Sequence, residues 1–156
     1  MRVIAEPLAE KGFAPFGEEL TIPASGRTFF DGALANLRRS ARPSLSLVRK
    51  EELSSLPLTQ WRMERHAFSS QSFVPLEAGR WLLLVAPDAG GAPDLRALRA
   101  FLAGPRQGIT YFANIWHQPL SILDRSAAFA IFMWRDGGEG DEEFVTLPTP
   151  ITILAQ

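Results

Sequence analysis

Apolar positions along this chain come in short runs that alternate with polar ones more often than they follow a helical period. "WRMERH" (Trp61 to His66) predicts a strand with Arg62, Glu64 and His66 on one face and Arg65 on the other. "SFVPL" (Ser72 to Leu76) predicts the next strand, after a polar link at Ser69 and Ser70. "RWLLLVAP" (Arg80 to Pro87) is continuously apolar, as expected of a strand buried on both faces. "ITYFANIWHQPLSIL" (Ile109 to Leu123) reads as a strand with Tyr111, Ala113, Ile115 and His117 on one face, bent or broken at Pro119. "AAFAIFMWRDG" (Ala127 to Gly137) predicts another apolar strand. "FVTLPTPITIL" (Phe144 to Leu154), β-branched with two prolines, reads as an edge strand.

One segment breaks the pattern. "DLRALRAFLAGP" (Asp94 to Pro105) places Leu95, Leu98, Phe101 and Leu102 on one stripe, with Asp94 as N-cap and Gly104 and Pro105 past the end. It predicts a helix of about three turns. A further helical turn is expected over Leu8 to Phe13. Twelve glycines and twelve prolines cut the rest into strand-length pieces, which favours a mostly β fold, a sandwich or barrel with one or two short helices. The mouth of such a barrel is a natural ligand cavity. "PDAGGAP" (Pro87 to Pro93) reads as a loop, and "GGEGDEE" (Gly137 to Glu143) as a solvated acidic one.

Composition narrows the function classes. A chain of 156 residues with 46% hydrophobic content is expected to form a single domain over 1–156 with a real core. Lys and Arg number 16 against 17 Asp and Glu, which argues against a nucleic-acid partner; the cluster Arg38, Arg39 and Arg42 is too small to reverse that. With no cysteine, disulfides, thiolate catalysis and thiolate metal sites are excluded. Glu6 and Glu10 interrupt any signal-like core, and no apolar run is long enough to span a bilayer. The expectation is a cytoplasmic protein without a membrane partner.

The chemistry rests on two histidines, His66 and His117, the only ones in the chain. Glu64 stands two residues before His66 and projects with it. Gln71 follows five residues on, and His117 comes from a distant strand. A carboxylate, two imidazoles and an amide converging in a barrel hold a divalent metal or run acid–base chemistry without one; the residues leave both open. Tyr111 is a candidate hydroxyl in the same cavity. Arg65 is expected in a surface or interface ion pair, and Trp116 in the core.

At these residues the chain resembles the ureidoglycolate lyase family. The likeness runs through "EPLAEKGFAPFGEEL" (Glu6 to Leu20), "LPLTQWRMERHAFSSQSFVPL" (Leu56 to Leu76) and "APDLRALRAFLAGPRQGITYFANIWHQPL" (Ala92 to Leu120). The resemblance implies a cupin-like β-barrel, a homodimer, that cleaves ureidoglycolate to glyoxylate and urea in allantoin breakdown. It also implies a divalent metal, nickel or zinc, with Glu64, His66, Gln71 and His117 in the four ligand positions. For that substrate, Arg62 and Ser70 are the expected carboxylate-binding residues. Within that resemblance the chain looks divergent: Phe112 and Ala113 stand where the family carries a His and a basic residue, and Gln118 where it has a second His. Leu34 to Leu45 has lost an expected motif, and Glu77–Ala78 replaces a turn lysine. A small-molecule-binding module without turnover, or a metal-dependent enzyme acting on another ureido or hydroxy acid, remains an alternative.

Overall fold

The six apolar residues of Trp81–Ala86 divide between two cores, and the fold is organised around that division. Trp81, Leu83 and Val85 face one cluster with Phe13, Phe101, Ile109 and Phe129. Leu82, Leu84 and Ala86 face another with Met63, Trp116, Ile151 and Ile153. All six are at most 1% exposed, as expected of a strand with no solvent face. Burying side chains of this size stabilises the fold by roughly 1.5–3 kcal/mol each.

The computed structural model describes residues 1–138 and 140–156. In chain order the elements are β1 (Arg2–Pro7), α1 (Glu10–Phe13), β2 (Gly17–Thr21), β3 (Arg42–Lys50), β4 (Leu58–His66), β5 (Gln71–Glu77) and β6 (Trp81–Ala86). They continue with β7 (Arg99–Ala103), β8 (Gln107–Tyr111), β9 (Trp116–His117), β10 (Ser121–Ile122), β11 (Ala127–Arg135) and β12 (Glu142–Leu154). A seven-stranded sheet has the order β10-β6-β7-β1-β12-β4-β9, and β9 also pairs β6, which closes a ring of six strands and leaves β10 outside it. A five-stranded sheet, β2-β8-β5-β11-β3, packs across the first core. The architecture is mostly β and barrel-like, and α1 supplies the expected helical turn.

Three expectations are corrected. The segment Asp94 to Pro105 is not a helix: Asp94 caps a single turn, accepting from the Arg96 amide at 3.0 Å, and Arg99–Ala103 then runs as β7. Phe101 and Ala103 enter the first core while Ala100 joins the second, a period of two hidden beneath the helical stripe. Pairing with β1 on one side and β6 on the other overrides helix propensity. The strand β12 is not an edge, because it pairs β1 and β4; a register shift between Thr146 and Ile151 absorbs its prolines. The segment Ile109 to Leu123 is not one strand but β8, a turn, β9 and β10. At the turn Asn114 adopts φ 69°, a left-handed conformation that asparagine tolerates.

Among the described residues, no helix is long and apolar enough to cross a membrane.

Candidate functional site

The strand β4 ends at the site. Its alternation sends Met63 into the second core and leaves Glu64 and His66 on the opposite face, as the sequence predicts. The two-residue strand β9 crosses beside it, with His117 paired to Glu64 and, on its other side, to Val85. The turn before β9 is tied down because the Asn114 amide donates to the His66 carbonyl at 2.7 Å. Arg65, on the far face of β4, donates to Asn114 Oδ1 at 2.8 Å and to Glu143 Oε2 at 2.6 Å, and it pairs with Asp88. Its guanidinium stacks 4.6 Å from the Trp116 ring centroid. The expected ion pair is therefore present, but it is buried and clamps the turn that presents His117.

The imidazoles of His66 and His117 lie nearly parallel with ring centroids 6.1 Å apart, and Tyr111 stacks on His117 at 4.3 Å. His117 Nδ1 is 3.0 Å from the Ile115 carbonyl oxygen. A carbonyl only accepts, so Nδ1 carries a proton. Nε2 then faces Gln71 Oε1 at 3.1 Å and Glu64 Oε1 at 3.4 Å, two further acceptors. A ring nitrogen that faces two oxygen acceptors suits a cation, either a proton on Nε2 or a metal ion. Separations of 3.1 and 3.4 Å match the edges of a shell with bonds of about 2.0–2.2 Å. Among the described residues no three His, Asp or Glu side chains gather closely enough for one metal; the third donor here is an amide oxygen. Glu64, Gln71 and His117 thus fit a divalent ion, and His66 stands apart from them.

Electrostatics separates the groups. Burial pushes the Glu64 carboxyl up, but the hydrogen bond and charge of His117, then His66 and Arg62, outweigh it and hold Glu64 below the usual carboxylate range. Burial, with the His117 charge, pushes His66 below the usual imidazole value against the pull of Asp141 and Glu64. His66 Nδ1 lies 3.4 Å from Asp141 Oδ2, and its Nε2 is buried without a partner. Burial and then Glu64 push the Tyr111 phenol above its ordinary value, so it stays protonated.

The remaining candidates fall elsewhere. Ser70 is fully buried, and its hydroxyl is tied to the Ala35 backbone, accepting from N–H at 3.0 Å and donating to C=O at 3.3 Å. Arg62 shares the Glu64 face but is exposed, its guanidinium 4.0 Å over the Phe144 ring. The residue missed by sequence reasoning is Asp141. Within the supposedly solvated acidic loop it is 6% exposed, accepts from the Phe68 amide at 2.8 Å, and binds the Ser69 hydroxyl and Arg38. Glu139 of that loop lies outside the described residues. Nothing in the sequence pattern singles out Asp141, which precedes the last strand by one residue.

Comparisons with known proteins agree with the motifs. The model of the family described as "Ureidoglycolate lyase" matches residues 1–154. A putative ureidoglycolate lyase of Agrobacterium fabrum is 36% identical over 154 residues, covering 97% of this chain and 94% of its own length. A ureidoglycolate lyase of Azotobacter vinelandii is 37% identical over 155 residues, covering 92% and 93%. Among solved structures, a dTDP sugar isomerase of Desulfovibrio desulfuricans overlays with TM-score 0.48 at 15% identity, over 85% of this chain and 82% of that one.

Proposed function

The chain belongs to the ureidoglycolate lyase family, and from that premise we propose that it cleaves ureidoglycolate to glyoxylate and urea. The observation that carries this reading is the convergence of His117, Glu64 and Gln71 beside a second, electrostatically distinct imidazole, His66.

The substrate carbon bears a hydroxyl, a carboxylate and a urea nitrogen. In the reaction the hydroxyl loses its proton, and the freed electron pair becomes the aldehyde C=O. The C–N bond breaks toward nitrogen, which takes a proton; no water is consumed. His66, kept neutral by burial and holding its Nδ1 proton toward Asp141, offers the Nε2 lone pair as base. His117, with a proton on Nε2 beside the Glu64 carboxylate, is the acid for the departing nitrogen. Two imidazoles in different environments thus divide the roles, each worth roughly 10²–10⁴-fold. Tyr111 holds the His117 ring by stacking and transfers no proton.

The metal-dependent alternative to this acid–base scheme places a divalent ion, nickel or zinc, at Glu64, Gln71 and His117. It would lower the pKa of a bound hydroxyl and would take the Nε2 lone pair in place of the proton, so that His117 would be a ligand rather than the acid. The protein is proposed to act in the cytoplasm, within purine (allantoin) breakdown, as a homodimer. For the dimer the outer face of the five-stranded sheet is the candidate surface. Leu45 and Leu47 stand beside Phe132 and Ala130, with Val74 next in the row, and Leu45, Leu47 and Val74 are 69%, 73% and 39% exposed. An apolar face of this kind favours a partner.

The test is a urea and glyoxylate assay on purified protein, with and without chelator. His66→Ala and His117→Ala are each expected to abolish urea release while the circular dichroism spectrum stays unchanged. Wild-type turnover in either variant removes that imidazole from the mechanism. No turnover by the wild type under any metal supports the binding-module alternative.

A further inference from the structure

The mechanism leaves the substrate carboxylate without a cation: Ser70 is tied to the Ala35 backbone, and Arg62, though its charge reaches Glu64, is exposed over Phe144 and does not line the cavity beside it. A cavity of about 390 Å³ adjoins the cluster, lined by Val48, Lys50, Glu64, Gln71, Phe73 and Ile131 among others. Lys50 is the last residue of β3, opposite the fully buried Ala127, and is itself half-buried. Arg49 also borders the cavity, but it is exposed and already paired with Glu77 at 3.1 Å. Among the described residues Lys50 enters no ion pair. A half-buried ammonium without a carboxylate, facing a cavity that ends on Glu64 and Gln71, lacks an anion.

The other side of the histidines offers the opposite chemistry. A second cavity, of about 360 Å³, is lined by His66 with Asp136, Asp141 and Glu142, and by Arg38 and the exposed Arg135. Its buried cation, Arg38, is already bound by Asp136 at 2.7 Å and Asp141 at 3.2 Å. Three carboxylates gather there against the single one of Glu64 beside Lys50, so a substrate carboxylate is less favoured on that side, whereas the N–H groups of a ureido end would find acceptors. We propose that Lys50 binds the substrate carboxylate from the Glu64–Gln71 side, which keeps the carbon-bound nitrogen at His117 and directs the terminal NH2 of the ureido group toward Asp141. The proposal rests on the ureidoglycolate reading for the substrate, but it is tested by binding alone. Lys50 lies outside every motif that carries the family resemblance.

The probes are N-carbamoylglycine, which carries the ureido and carboxylate groups without a hydroxyl to cleave, and its neutral amide. Calorimetry on the full chain should show that the wild type prefers the acid. Lys50→Met, which keeps the stem and removes the charge, should weaken the acid by about 10–100-fold, the range of one charge-assisted hydrogen bond, and leave the amide unchanged. Lys50→Arg should retain most of the preference. Thermal unfolding of Lys50→Met should match the wild type. A wild type without preference for the acid, a Lys50→Met that binds the acid normally, or equal losses for acid and amide would each overturn the assignment. A wild type that discriminates the two probes yet releases no urea sinks the lyase reading and leaves the carboxylate site standing.

Discussion

Asp141→Asn isolates one charge while keeping the shape of the side chain, and its consequence can be worked out at His66. In the native protein a single oxygen, Asp141 Oδ2, is shared by the Ser69 hydroxyl, by Arg38 at 3.2 Å and by His66 Nδ1 at 3.4 Å. An opposite charge this close ordinarily moves a pKa by about 1–3 units. Arg38 already neutralises part of it, so the low end applies, about one unit or roughly 1.4 kcal/mol. Removing the carboxylate leaves burial and His117 less opposed, and the pKa of His66, already low, should fall further. With only two histidines in the chain, proton NMR resolves two imidazole Cε1–H signals, assigned by a His117→Asn variant. The expected result is a downward move of the His66 titration by about one unit. An unchanged or upward move would refute the claim that Asp141 tunes this ring. Stability follows with a definite sign. The unfolded histidine, with a pKa of about 6.5, binds protons that the folded one rejects. Native stability should therefore fall as pH drops through that value and level off below the folded pKa. In Asp141→Asn that loss should continue to a lower pH before it levels off, read from urea midpoints across a pH series.

Other substitutions test the frame around the site. Arg65→Met removes a cation that is 10% exposed from Asp88, Glu143 and Asn114. Breaking a buried pair costs about 3–5 kcal/mol, and the 44% exposure of Glu143 argues for about 2–4, seen as a lower Tm together with reduced turnover; an unchanged Tm would contradict the clamp. At Gly17 an added Cβ would sit 1.9 Å from the Thr110 carbonyl oxygen on β8, so Gly17→Ala should destabilise by at least about 2 kcal/mol in chemical denaturation. Leu45→Glu combined with Leu47→Glu should yield a monomer in sedimentation analysis while folding normally; a persistent dimer would move the interface elsewhere.

Local alternation made part of this architecture legible in advance. The face shared by Glu64 and His66, and the double burial of Trp81 to Ala86, follow from pattern alone. What failed was decided by partners far away in the chain. Asp94 to Ala103 satisfies every local rule for a helix, yet a slot between β1 and β6 needed a strand, and Phe101 and Ala100 suit its two faces. The prolines of β12 suggested an edge, but a register shift lets an internal strand carry them. The meeting of Tyr111 and His117 was anticipated for the wrong reason: a turn at Asn114, rather than an unbroken strand, stacks their rings. Asp141 and Lys50 were hidden because composition describes a segment and not the inward turn of one residue within it.

Because His117 is bonded through its backbone to neighbours on both sides, Glu64 and Val85, the acid of the proposed mechanism sits in the seam that closes a ring of strands. Moving this imidazole aside would mean unzipping the ring. The cavity that reaches Glu64 and Gln71 is instead bordered by β3, which has a neighbour on one side alone. Slow amide exchange at His117 beside faster exchange along β3 would be the signature of a fixed anvil struck from one direction.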